Sequence, residues 1–82
     1  MSSYNIFIIK NITILLTSTV VYTLLPKKTF NTGKQLTLIE ALYFASTTHT
    51  TLGFGDIYPI TTIGRICIMI HIMTVFFIIT IN

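Results

Sequence analysis

The run Thr48-His49-Thr50-Thr51-Leu52-Gly53-Phe54-Gly55-Asp56 holds the residues whose types and spacing can do chemistry. Each of its two glycines would cost a helix about 1 kcal/mol relative to alanine. What glycine offers instead is free access to positive φ. A backbone alternating between right- and left-handed conformations points successive carbonyl oxygens one way, and such a stack replaces the water shell of a dehydrated cation. The Thr51 hydroxyl adds oxygens below the carbonyls of Leu52, Gly53 and Phe54. The side chains of Leu52 and Phe54 are expected to face away and pack on the preceding helix. Asp56 follows at the outer mouth, where a carboxylate concentrates cations. A plain tight turn between two spans needs neither the threonines and His49 before the glycines nor Asp56 after them.

Other chemistries find little support. There are no paired carboxylates, metal-ligand cluster or nucleophile with an oriented base, so an enzyme is the weakest reading and no cofactor is expected. The net charge is +3, but the five basic residues are scattered and form no stripe for nucleic acid. The single cysteine, Cys67, lies in an apolar run and reads as a small hydrophobe.

The elements that must position the loop follow from composition. Of 82 residues, 52% are apolar and 9% charged, against roughly a quarter charged in a soluble domain. So short a chain cannot bury that surface in a core of its own, and lipid is its natural solvent. Residues 6–25 form an apolar run long enough to cross a hydrocarbon core, with Lys10 near one end to snorkel. A signal peptide is the rival, but Leu24-Leu25-Pro26-Lys27 is no cleavage site. Residues 26–36 carry one proline, one glycine and three lysines and predict a solvated loop. Thr37-Leu38-Ile39-Glu40 has capping-box spacing and opens a helix over 37–50, too short to span. Residues 51–56 are the loop, and Thr61 or Thr62 caps a second span over 61–81. The expected fold is an all-α membrane protein: two transmembrane helices, a re-entrant pore helix and a selectivity-filter loop in one domain. One copy cannot enclose a pore, so a homo-oligomer is expected.

Around the loop, Thr48, His49, Thr50 and Glu40 are candidate filter supports. His49 reads as packing behind the loop rather than as a proton sensor. His71, in the second span, is either a proton-sensitive gating group or a hydrogen-bonded structural imidazole; both readings stand. Arg65 falls in the first turn of the last span, where the helix dipole disfavours a cation, so it is expected to pair with Asp56 or Glu40, within or between copies.

Thr48-x-x-Thr51-x-Gly53-Phe54-Gly55-Asp56 resembles the potassium-channel signature TxxTxG[YF]GD. Tyr43-Phe44, Pro59, His71-Ile72 and Thr74-Val75-Phe76-Phe77-Ile78, with the small size, are similar to the miniature potassium channels encoded by large viruses of algae. The resemblance covers residues 37–82 well and the first part only in layout. It implies a homotetramer in a bilayer, K⁺ as the permeant ion, residues 51–55 as filter and both termini cytoplasmic. It also implies a host-cell or virion membrane, and Phe76 and Ile79 lining a cavity below Thr51. Two positions depart from the pattern. Leu52 stands where valine is usual, and Phe54 where tyrosine is commonest. Phe54 loses a hydroxyl tether to the short helix, and that helix lacks the tryptophan that usually receives it.

The lysines of 26–36 favour a cytoplasmic loop by the positive-inside rule, whereas the filter frame puts that loop outside; the charge bias is small and the frame outweighs it. No Arg-rich span is present, so no voltage sensor is expected. No domain is expected after Asn82, and so no ligand-binding gate; no auxiliary subunit is inferred. The alternatives are a less selective cation pore of the same build and a holin-like membrane hairpin.

Overall fold

Ser2 opens the first helix, its hydroxyl accepting the amide of Asn5 at 3.2 Å. In this computed structural model residues 2–81 are described, and the expected start at Met1 and end at Asn82 lie outside them. Helix α1 spans Ser3–Leu24, starting ahead of the apolar run because the serine cap precedes it. It ends where Pro26 keeps Leu25 out of the helical region, at φ −68° and ψ 148°. A 3-10 turn, Lys27–Thr29, follows.

Helix α2, Leu38–His49, opens on the predicted capping box. Thr37 Oγ1 accepts the Glu40 amide at 3.2 Å while Glu40 Oε1 accepts the Thr37 amide at 2.9 Å. Helix α3, Thr62–Ile81, is capped by Thr61, whose hydroxyl accepts the Gly64 amide at 3.1 Å. At about 1.5 Å per residue, the 22 residues of α1 and 20 of α3 are long enough to cross a bilayer and apolar enough as well. The 12 residues of α2 are not.

The three helices meet in an aromatic core at the loop end of the molecule. Tyr22 of α1, Phe30 of the loop and Phe44 of α2 pack edge to face, with ring centroids 5.0–6.2 Å apart. Ala41 and Ala45 have no exposed surface, and their small side chains let α2 approach closely. Residues 26–36, expected to be solvated, are not wholly so. Phe30 and Leu36 are buried in this core, because a loop carrying two large apolar side chains gains more by folding back over the helices than by facing water. Gly64 makes the fold-back possible, since a Cβ there would lie 2.6 Å from Thr29 Cγ2 and 2.9 Å from Pro59 Cβ. Away from this core, the long helices present exposed apolar faces, including Ile9, Ile12 and Leu16 on α1 and Met69, Met73 and Phe77 on α3.

Candidate functional site

The loop after α2 alternates in handedness as its sequence predicts. Thr51, Gly53 and Gly55 have φ of 64°, 56° and 82°. Nothing lies within 4 Å of a Cβ built on either glycine, so glycine is required there by conformation and not by space. Positive φ at a β-branched residue such as Thr51 is rare, and it persists only where the surroundings over-determine it.

The C-terminal turn of α2 supplies that constraint. The Thr50 amide and hydroxyl both donate to the Ser46 carbonyl, at 3.0 and 2.8 Å. The Thr51 amide donates to Thr48 O at 3.1 Å, and the Gly53 amide to Thr47 O at 3.2 Å. The Thr51 hydroxyl donates to Thr50 O at 2.6 Å, which leaves its oxygen free to accept or ligate. Carbonyls that a helix end leaves without partners are thus taken up by the loop.

The outer end is held by side chains. Tyr43 of α2 donates its hydroxyl to Asp56 Oδ2 at 2.7 Å, and its ring lies nearly parallel to that of Phe54, centroids 6.4 Å apart. The charge-accepting partner raises the Tyr43 phenol above its ordinary value, with desolvation adding to the effect. A filter without a hydroxyl tether was the expectation from Phe54 and the missing tryptophan. The tether exists, but its direction is reversed: the helix supplies the hydroxyl and the loop the acceptor. Asn31 clamps the next residues, donating to Asp56 O at 2.9 Å and accepting the Tyr58 amide at 2.8 Å. Its own amide donates to Tyr58 O at 2.9 Å, and Ile60 N donates to Thr29 O at 2.7 Å. Sequence reasoning missed both residues as supports. Tyr43 lay inside the run that carries the resemblance, whereas Asn31 had no local signal.

His49, the last residue of α2, lies behind the loop as expected, hydrogen-bonded to Asn11 of α1 and His71 of α3. His71 is buried and also bonds Tyr22, so every ring nitrogen of the two imidazoles is engaged. Asn11 and Tyr22 were not singled out from the sequence.

The remaining candidates fall in different places. Thr48 and Phe76 line a groove of about 450 Å³ together with Thr51, Gly53 and Gly55. Ile79 lies elsewhere, lining a separate open groove with Ser3, Tyr4 and Phe7 at the start of α1. Three positions along a helix turn a side chain by a net angle of about 60° and advance it about 4.5 Å, so Ile79 stays near the face of Phe76 but lies further from the loop. Leu52 is exposed in the single chain rather than packed on α2. Glu40 acts through the helix start and makes no hydrogen bond to residues 51–55. The Thr37 amide holds its carboxyl below the ordinary value, and Lys34 Nζ lies 3.8 Å away. The expected ion pair of Arg65 with Glu40 or Asp56 does not form within the chain. Both carboxylates are already engaged, by Thr37 and Lys34 and by Tyr43.

Two membrane-length helices, a half-length helix and a left-handed loop seated between them define a pore-loop membrane protein. Residues 9–82 match a family described as ion channel, and the chain belongs to that family. It is an integral membrane protein. Over 49 residues it is 51% identical to the "Potassium channel protein kcv" of Paramecium bursaria Chlorella virus 1. That alignment covers 60% of this chain and 52% of the relative, so the chain spans about half the length of the curated relative it matches. No solved structure matches the chain.

Proposed function

We propose that the chain is a potassium-selective channel, passing K⁺ down its electrochemical gradient through a filter of backbone carbonyls on the axis of a homotetramer. Each copy contributes residues 51–55, with Asp56 at the outer mouth. The observation that carries this reading is the left-handed φ at Thr51, Gly53 and Gly55, in a loop fastened at both ends between two spans. The similarity to a viral protein named as a potassium channel supports it.

The tetramer is favoured by the groove beside the loop. Its lining of Thr51, Gly53, Gly55, Ile68, Ile72 and Phe76 is largely apolar and open in a single chain. A neighbouring copy is the occupant that would also complete a ring of carbonyls. In this arrangement Phe76 borders the cavity below Thr51, and both termini are cytoplasmic. K⁺ is the permeant ion and no cofactor takes part. The membrane is that of the host cell or the virion, the site implied by the viral resemblance.

Reconstitution of the purified chain in a planar bilayer under a K⁺/Na⁺ gradient tests the proposal. The reversal potential is expected near the K⁺ equilibrium value, and Ba²⁺, which fits a K⁺ site with double charge, is expected to block. A reversal potential indifferent to which cation is outside would point to the less selective pore. Current that Ba²⁺ leaves untouched would point to a hairpin without an ordered filter.

A further inference from the structure

Four side chains from all three helices form one uninterrupted hydrogen-bonded chain behind the filter loop. The Tyr22 hydroxyl lies 2.7 Å from His71 Nδ1. His71 Nε2 is 3.1 Å from His49 Nδ1, and His49 Nε2 is 2.9 Å from Asn11 Oδ1. The chain ends at a backbone carbonyl, with Asn11 Nδ2 donating to Phe7 O at 2.8 Å.

That last contact fixes the direction of all the others. A carbonyl only accepts, so the asparagine amide nitrogen must face Phe7 and its oxygen must face His49. His49 Nε2 therefore carries a hydrogen. A neutral imidazole has one donor and one acceptor nitrogen, so His49 Nδ1 accepts and His71 Nε2 is the donor. By the same step His71 Nδ1 accepts from the Tyr22 hydroxyl. Both imidazoles are then neutral Nε2–H tautomers, and each group is satisfied by one proton order. An imidazolium here would want an anion, but the chain has only two carboxylate side chains, Glu40 and Asp56. Both are engaged elsewhere, with Thr37 and Lys34 and with Tyr43.

His49 is two residues before Thr51, the first left-handed residue of the loop. Its imidazole is fastened on one side to α1 and on the other to α3. The positions of both spans are thereby referred to the start of the filter. We propose that Tyr22, His71, His49 and Asn11 form a proton-ordered strut that positions the filter against both spans and so helps determine cation discrimination. The four act as positioning residues and do not touch the ion. The role in discrimination rests on the filter reading above; the proton order does not.

Two measurements separate these. Nitrogen-15 NMR of imidazole-labelled protein in micelles at pH 7 reads the proton order directly. Both rings are expected as Nε2–H tautomers with hydrogen-bonded Nδ1 acceptors, whether or not residues 51–55 select K⁺. An Nδ1–H tautomer or an imidazolium at either position would overturn the strut. The second measurement is the K⁺/Na⁺ permeability ratio in planar bilayers. His71→Leu removes the centre of the strut and with it two hydrogen bonds, and is expected to lower the ratio about tenfold, since each such bond contributes on the order of 1 kcal/mol and only part of that loss reaches the filter.

His71→Gln keeps an acceptor for Tyr22 and a donor for His49, and is expected to restore the ratio to within about twofold of wild type, since both lost bonds are regained. A conducting His71→Leu channel with the wild-type ratio, or a glutamine variant as impaired as the leucine one, would overturn the positioning role. If His71→Leu does not assemble, Tyr22→Phe and Asn11→Leu each cut one end and carry the test. Each is expected to lower the ratio, and the double variant to be no worse than the poorer single one, because the strut is already broken; fully additive losses would count against it. A wild-type ratio near one overturns the filter reading itself, and the discrimination role with it.

Discussion

Residues 50–51 and residues 55–58 flank the same short loop, yet different chemistry holds them. At the inner end the partners are helix-end carbonyls, Ser46 and Thr48, with His49 braced behind. At the outer end they are side chains reaching in from elsewhere, the Tyr43 hydroxyl and both ends of the Asn31 amide. Between the two, Leu52 and Phe54 are each 65% exposed, and the Gly53 amide makes the one backbone hydrogen bond of the middle. A single chain therefore fixes where the loop starts and stops and leaves its middle to be completed. In the proposed tetramer the completing surfaces are the other copies. The middle depends on backbone conformation, the inner end on helix geometry and the outer end on a few polar side chains. Changes at the three places should therefore differ in size and in kind.

The middle should be the most sensitive. Gly53→Ala adds a Cβ that meets no neighbour, but it places an L side chain at φ 56°. The left-handed conformation costs a non-glycine residue roughly 1–2 kcal/mol, and in the tetramer that cost falls four times on one filter. Loss of K⁺ current with the protein still in the membrane is the expected result, measured by single-channel recording beside a surface-labelling control. Retained current with an unchanged permeability ratio would mean that the left-handed alternation is not what the ion reads.

The outer clamp should come next. Asn31→Ala removes the donor to Asp56 O and leaves the Tyr58 amide without its acceptor. Leaving such a group unsatisfied costs about 1–3 kcal/mol when it is buried and less at this exposed site. The expected effect is a channel that still selects K⁺ but flickers, with its mouth less firmly held, together with a lower temperature of tetramer dissociation in detergent. An equal loss of selectivity and of stability would erase the distinction between middle and outer end.

How far this division was legible beforehand depends on sequence distance. Positive φ at Gly53 and Gly55 follows from the glycines themselves, whereas positive φ at Thr51 needs the helix-end hydrogen bonds around it. The Thr37–Glu40 capping box and the end of α1 before Pro26 are equally local, set by residues at most four apart. The outer clamp joins Asn31 to Asp56 and Tyr58 across 25 and 27 residues, and no propensity or period encodes a contact of that kind. The strut was half visible. His49 and His71 were named as candidates, whereas Asn11 was not, because its role needs the packing of α1 on α2. Burial of Phe30 went unread because lysines and breakers dominate the loop around it. Arg65 shows the converse: dipole reasoning called for a carboxylate, but local hydrogen bonds had already engaged both.

The smallest effect belongs to Tyr43, where a ring stack on Phe54 survives loss of the hydroxyl. Tyr43→Phe should leave K⁺ selectivity at neutral pH close to wild type while weakening the hold on Asp56. The pH dependence makes this separable from a packing change. The Asp56 carboxylate raises the Tyr43 phenol above its ordinary value of 10.0. A group with a raised native value contributes stability that is fully present below the unfolded value and lost as pH rises through the native one. Wild-type tetramers should therefore keep this contribution up to about pH 10 and lose it on further alkalinisation, with the phenylalanine variant lacking that step. The measurement is thermal dissociation of the tetramer in detergent between pH 7 and 11, with each curve normalised to its value at pH 7. If wild type and Tyr43→Phe fell in parallel above pH 10, the hydroxyl would not be a restraint on the outer end, and Asn31 alone would account for it.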